Sequence, residues 1–132
     1  MKTIVLSLAS LAVVLGASGC GFAARSPEMY RDDTKAVLDT KSNDIRACYD
    51  GILKINQTVA GRVTLKFDVE NEQGKITNVQ VDKANTTAPQ ELTDCVTKSI
   101  VGLGLTPPDA RLGQGSFTWE FAVSPSGGAS KI

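Results

Sequence analysis

The chain predicts an α+β domain. It is a two-layer arrangement, a three-stranded antiparallel sheet with helices packed on one face, in the order helix-strand-strand-helix-strand. Three observations carry this. Two segments space their apolar residues by three and four, as a helix with one buried face does. Two others alternate apolar with polar residues, the pattern of a strand with one wet face. Between the second and third strands a helical segment intervenes, so the third strand must return to the sheet from a distance.

Ser26-Pro27-Glu28 starts the first helical segment, with Ser as the cap and Pro in the first turn. Its apolar face becomes clear late, at Leu38, Ile45, Cys48, Tyr49, Ile52 and Leu53. The polar stretch Thr40 to Asp44 leaves one helix or two open, and the clearest helix runs from Ser42 to Lys54. From Val63 to Glu70 alternation is strict. Asn71-Glu72-Gln73-Gly74 then turns the chain, and a second strand runs from Lys75 to Lys83. The step from Ile76 to Val79 breaks its alternation by one residue, which predicts a bulge.

Asn85 to Ala88 reads as a loop, with Thr87 as the cap of the next helix and Pro89 in its first turn. Leu92, Cys95, Val96, Ser99, Ile100 and Leu103 share one face of that helix, and Gly102 and Gly104 end it. Thr106-Pro107-Pro108 is an extended linker and Gly113 to Ser116 a turn. Phe117, Trp119, Phe121 and Val123 then alternate with polar or small residues as the third strand. Ser124 to Ile132 is rich in Pro, Gly and Ser and reads as a disordered tail. The division is residues 1–19 as a leader, 20–27 as a tether, 28–123 as the domain and 124–132 as the tail.

The leader has a positive start at Lys2, an apolar run from Ile4 to Leu15, and small residues before Cys20. That is the layout of a secretory signal, and the run is short for a membrane span. Its Ala17-Ser18-Gly19-Cys20 ending resembles a bacterial lipobox, which implies lipidation of Cys20 and a membrane anchor made of acyl chains. Ala17 stands where such motifs usually carry Leu. Ordinary cleavage nearby, leaving Cys20 a plain thiol, is the alternative. With Gly21 rather than Asp after the cysteine, the pattern resembles that of lipoproteins sorted to the outer membrane.

Removing the leader leaves about 110 residues, one small domain. Lys plus Arg and Asp plus Glu number 14 each, so no basic stripe is present to hold nucleic acid. There is no histidine, which removes the commonest general base and metal ligand. Of the three cysteines, lipidation would consume Cys20. Cys48 and Cys95 remain as an even pair on the core-facing sides of two helices, and in an oxidising compartment a disulfide is the default. A reactive or metal-binding thiol pair is the alternative.

Ile45-Arg46-Ala47-Cys48-Tyr49-Asp50, Gly61-Arg62-Val63, Gly74-Lys75-Ile76 and Leu92-Thr93-Asp94-Cys95-Val96, taken in order, resemble the AgmX/PglI C-terminal domain of bacterial envelope proteins. The closing strand Phe117 to Phe121 fits as well, while Leu105-Thr106-Pro107-Pro108 departs from the Phe-Pro-x-Pro usual in that family. The family is similar in turn to the TonB C-terminal domain. The resemblance implies helices on a sheet and a Cys-Cys bridge, and little about activity.

Asp32, Asp33, Asp39 and Asp44 read as solvated surface charge, and Glu70, Glu72 and Asp82 around the hairpin lack the spacing of a cation loop. No nucleophile, base and oxyanion donor assemble, so no catalysis, metal or cofactor is expected. The expected function is that of a lipid-anchored envelope protein binding a protein partner, with β-strand addition at a sheet edge as one means. The candidate edges are Lys75 to Lys83, represented by Gln80, and Gly115 to Val123, represented by Thr118 and Glu120. A small-ligand carrier or enzyme accessory subunit in the periplasm is the alternative, and an apolar pocket would distinguish it.

Overall fold

The computed structural model describes residues 24–123 and the backbone of Ala129–Ser130. The leader, Cys20 and most of the tail lie outside the described residues. Two helices precede the sheet, α1 (Pro27–Asp39) and α2 (Ser42–Leu53). Ser26 caps α1 as expected, its hydroxyl accepting from the Met29 N–H at 3.2 Å. The polar stretch does split the segment. Thr40 donates its hydroxyl to the Val37 carbonyl at 2.6 Å, which competes with the helical ladder at that point.

Strands β1 (Gly61–Val69) and β2 (Ile76–Val81) form the expected hairpin. Lys66 pairs with Gln80 and Asp68 with Thr77, so β2 carries one extra residue between these pairs. Asn78, at φ 49°, sits in that bulge, at the predicted break. The turn depends on Gly74, whose φ is +71°. A Cβ there would also strike the Leu105 carbonyl oxygen.

Helix α3 (Gln90–Ile100) returns the chain to the sheet and β3 (Gly113–Val123) completes it. Thr87 does not cap α3. Pro89 occupies the cap position without a side-chain bond, and the Thr87 hydroxyl instead accepts from the Arg62 N–H at 2.9 Å, tying the loop to β1. Gly113 to Ser116 is strand rather than turn. Val69 pairs with Gly113 and Lys66 with Ser116 in an unbroken register that runs to Gly61 and Phe121. Backbone pairing with β1 outweighs the low strand preference of the glycines.

The strand order is β2-β1-β3, extended by a two-residue strand β4 (Ala129–Ser130) that pairs with Val123 and Ala122. Those two residues fall in the segment read from sequence as a disordered tail. Val63, Leu65, Phe67 and Val69 of β1 face Leu38, Ile45, Tyr49, Leu92, Val96 and Ile100 of the helices in one core. Burying each such side chain contributes about 1.5–3 kcal/mol. Tyr49 packs its ring 5.1 Å from that of Phe121 and donates its hydroxyl to the Val59 carbonyl at 2.7 Å.

Candidate functional site

Cys48 and Cys95 are joined in a disulfide between α2 and α3, with Cα atoms 5.9 Å apart, inside the usual range. Its closure fixes the two helices over the sheet. The remaining candidate residues sit on the opposite, wet face. Gln80, Thr118 and Glu120 are all exposed there. Gln80 lies on β2 and the other two on β3, with β1 between them, so they are separated by two strand spacings, about 10 Å, across the sheet and by a further two and four residues along it. Glu120 is opposite Arg62 and Thr118 opposite Thr64, and the two threonine hydroxyls are 2.8 Å apart.

Alternation of the ladder decides which edge is open. Arg62 and Thr64 use their carbonyls on the β2 side, accepting from Thr87 and Asp82. In an antiparallel ladder, residues opposite such positions turn their own N–H and C=O away. Gln114, Ser116, Thr118 and Glu120 therefore direct their backbone groups outward from β3. Beyond them Ala122 meets β4. Gln80 behaves oppositely. Its partner Lys66 faces β2 in the same alternation, so the Gln80 backbone pairs inward, and the outward groups of that strand belong to Val81, Val79 and Ile76. The Ile76 N–H is already taken by the Leu103 carbonyl at 2.7 Å. Among the described residues, the longer open edge is thus that of β3.

A second feature was not legible in the sequence. A cleft of about 620 Å³ lies between α1 and the first half of β3. Its walls include Pro27, Tyr30, Phe67, Leu112 and Phe117. Gly113 and Gly115 place no side chains on this face. The Tyr30 ring lies where a Cβ on Gly113 would stand, and the Phe67 ring comes within 2.6 Å of a Cβ on Gly115.

One end of the cleft is closed by a buried polar clamp. Arg25, 6% exposed, was read as tether but belongs to the domain. Its backbone N–H donates to Asp109 at 2.7 Å, its Nε to Asp33 at 2.7 Å, and its Nη2 to the Pro107 carbonyl at 2.8 Å. Arg111 donates its Nη2 to the Arg25 carbonyl and its backbone N–H to Asp109. The bond from the Arg25 backbone, with those from Arg111, holds the Asp109 carboxyl below the usual carboxylate range against the cost of burial. Burial, then the Asp109 charge, raises the Tyr30 hydroxyl above its usual value.

The hairpin acids do structural work. Glu70 accepts from the Gln73 N–H at 2.9 Å, inside the turn. Asp82 pairs with Lys66 at 2.9 Å, and that bond leads the lowering of its carboxyl pKa. No metal-ligand cluster forms among the described residues. Nor is any helix among them long and apolar enough to cross a membrane.

No family model matches the chain, and no curated protein matches it. Among solved structures it is similar to the TonB C-terminal domain of Helicobacter pylori, determined in solution. The likeness has a TM-score of 0.55 at 17% identity and covers 76% of this chain and 85% of that one. At that identity it establishes a shared TonB-like fold.

Proposed function

We propose that this chain is a lipid-anchored, non-catalytic envelope protein, attached through Cys20 to the periplasmic side of the outer membrane, whose domain binds a protein partner by β-strand addition to β3. The observation that carries this reading is the open β3 edge, where Gln114, Ser116, Thr118 and Glu120 present paired donors and acceptors outward. An extended segment laid there would find main-chain bonds already aligned. The TonB-like fold and the AgmX/PglI resemblance support an interaction module, and the leader supports the envelope setting. The lack of histidine supports a role without catalysis.

Crosslinking capture from membranes tests it, using the tagged full chain. Thr118→Pro removes an outward donor while leaving the β1–β3 bonds in place, so it should abolish capture without unfolding the domain. Capture that survives both Thr118→Pro and Glu120→Pro, in variants with intact thermal transitions, rejects strand addition at β3.

A further inference from the structure

We propose that the cleft beneath α1 binds a carboxylate carried on a small apolar group, with Arg25, Tyr30 and Thr34 supplying the hydrogen bonds. Three buried side-chain atoms have no hydrogen-bond partner among the described residues: Arg25 Nη1, Tyr30 Oη and Thr34 Oγ1. All three belong to residues lining this cleft. Unpaired buried polar groups weaken a fold, and three lining one cavity mark a place prepared for a ligand.

The chemistry of the three selects the ligand. Arg25 and Thr34 are 6% and 7% exposed, so neither atom is served by open solvent. Arg25 is held rigid by its bonds to Asp33 and Pro107, while its Nη1 stays 3.9 Å from Asp109, beyond hydrogen-bond distance. Tyr30 remains protonated at neutral pH and can donate, since its pKa is raised. A guanidinium N–H and two hydroxyls, each without a partner, offer donors that suit the acceptor-only oxygens of a carboxylate. Four basic side chains line the cleft, Arg25, Arg31, Lys35 and Arg111, and each is already paired with an aspartate, Asp33, Asp32, Asp39 and Asp109 in turn, so the unpaired donors rather than net charge select the ligand. Phe67, Leu112 and Phe117 provide the apolar wall for the rest of the molecule. The volume, about 620 Å³, is that of a small-ligand site. Free organic acids and the terminal residue of a peptide share this chemistry.

The test is an NMR titration of the full chain with its disulfide intact. The probes are hexanoate and N-acetyl-leucine, each beside its amide, hexanamide and N-acetyl-leucinamide. The carboxylates should give saturable shifts at Tyr30, Thr34, Gly113 and Gly115, and the amides should bind about tenfold more weakly. Tyr30→Phe and Thr34→Val should each weaken carboxylate binding about tenfold, while the thermal midpoint of the unliganded chain holds or rises because an orphaned hydroxyl is gone. A merely structural hydroxyl would lower the midpoint and leave binding alone. Tighter binding of hexanoate assigns the site to free acids, and tighter binding of N-acetyl-leucine to peptide termini. No saturation at millimolar carboxylate, equal affinity for the amides, or unchanged affinity in both variants overturns the proposal. None of these probes can add a strand, so the outcome is independent of strand addition at β3.

Discussion

Replacing both bridged cysteines, as Cys48→Ala with Cys95→Ala, should cost the domain about 4 kcal/mol. The bridged residues are 47 apart in sequence. In the chain-entropy account, opening a loop of that size returns about 14 cal/mol/K to the unfolded chain, hence about 4 kcal/mol at 25 °C. For a domain of this size that lowers the thermal midpoint by about 15–30 °C. Urea unfolding followed by fluorescence of Trp119, which lies buried on β3, measures the loss directly. The slope with urea should rise in the variant, because an uncrosslinked denatured state exposes more surface. Adding reductant to the wild type should reproduce the variant's curve. A loss below about 1 kcal/mol, or a slope that does not change, would refute the entropic argument for this bridge.

Gly74→Ala should destabilise by about 1–3 kcal/mol in the same assay, since it places a Cβ at positive φ against the Leu105 carbonyl. Gln80→Pro should lower the thermal midpoint, unlike Thr118→Pro, because its N–H faces β1 rather than the open edge. Asp109 has a folded-state pKa below its ordinary 3.8, so its contribution is complete above that value and is lost as pH falls through the depressed one. Acid titration monitored by circular dichroism should therefore show a loss below about pH 4 that is shallower in Asp109→Asn, with Asp82 adding a second carboxylate to the same window. Cys20→Ser should block lipidation, and intact mass of membrane-extracted protein checks it; a wild-type mature form without acyl mass would refute the anchor.

Local patterns were the legible part. The hairpin, its bulge and the core faces of α2 and α3 follow from alternation and helical spacing, which depend on near neighbours. Misreadings arose where a distant partner decides. Gly113 and Gly115 look like turn residues until Tyr30 and Phe67 fill the space their missing side chains leave. Thr87 has the chemistry of a cap, but β1 offers it a better donor. The cleft escaped altogether, because Arg25, Thr34, Asp109 and Gly113 come from opposite ends of the domain and share no spacing. The one local hint was a Gly-x-Gly opening an aromatic strand.

The bridge from Cys48 to Cys95 closes a covalent ring that contains β1 and β2 and leaves α1 and β3 outside. Loss of pairing along β3 therefore need not release the hairpin, which stays tethered at both ends by the ring. The domain is divided into a locked half and a latch. Amide exchange should reflect that division, with β2 and the end of α2 opening only with the whole molecule and the start of β3 opening by a smaller, cheaper excursion. Of the two surfaces proposed for ligands, the open edge belongs to the latch, and the cleft is built on it apart from the Phe67 ring of β1. Whatever occupies them would slow its opening, so occupancy would be recorded as protection far from the bridge and leave the locked half unchanged.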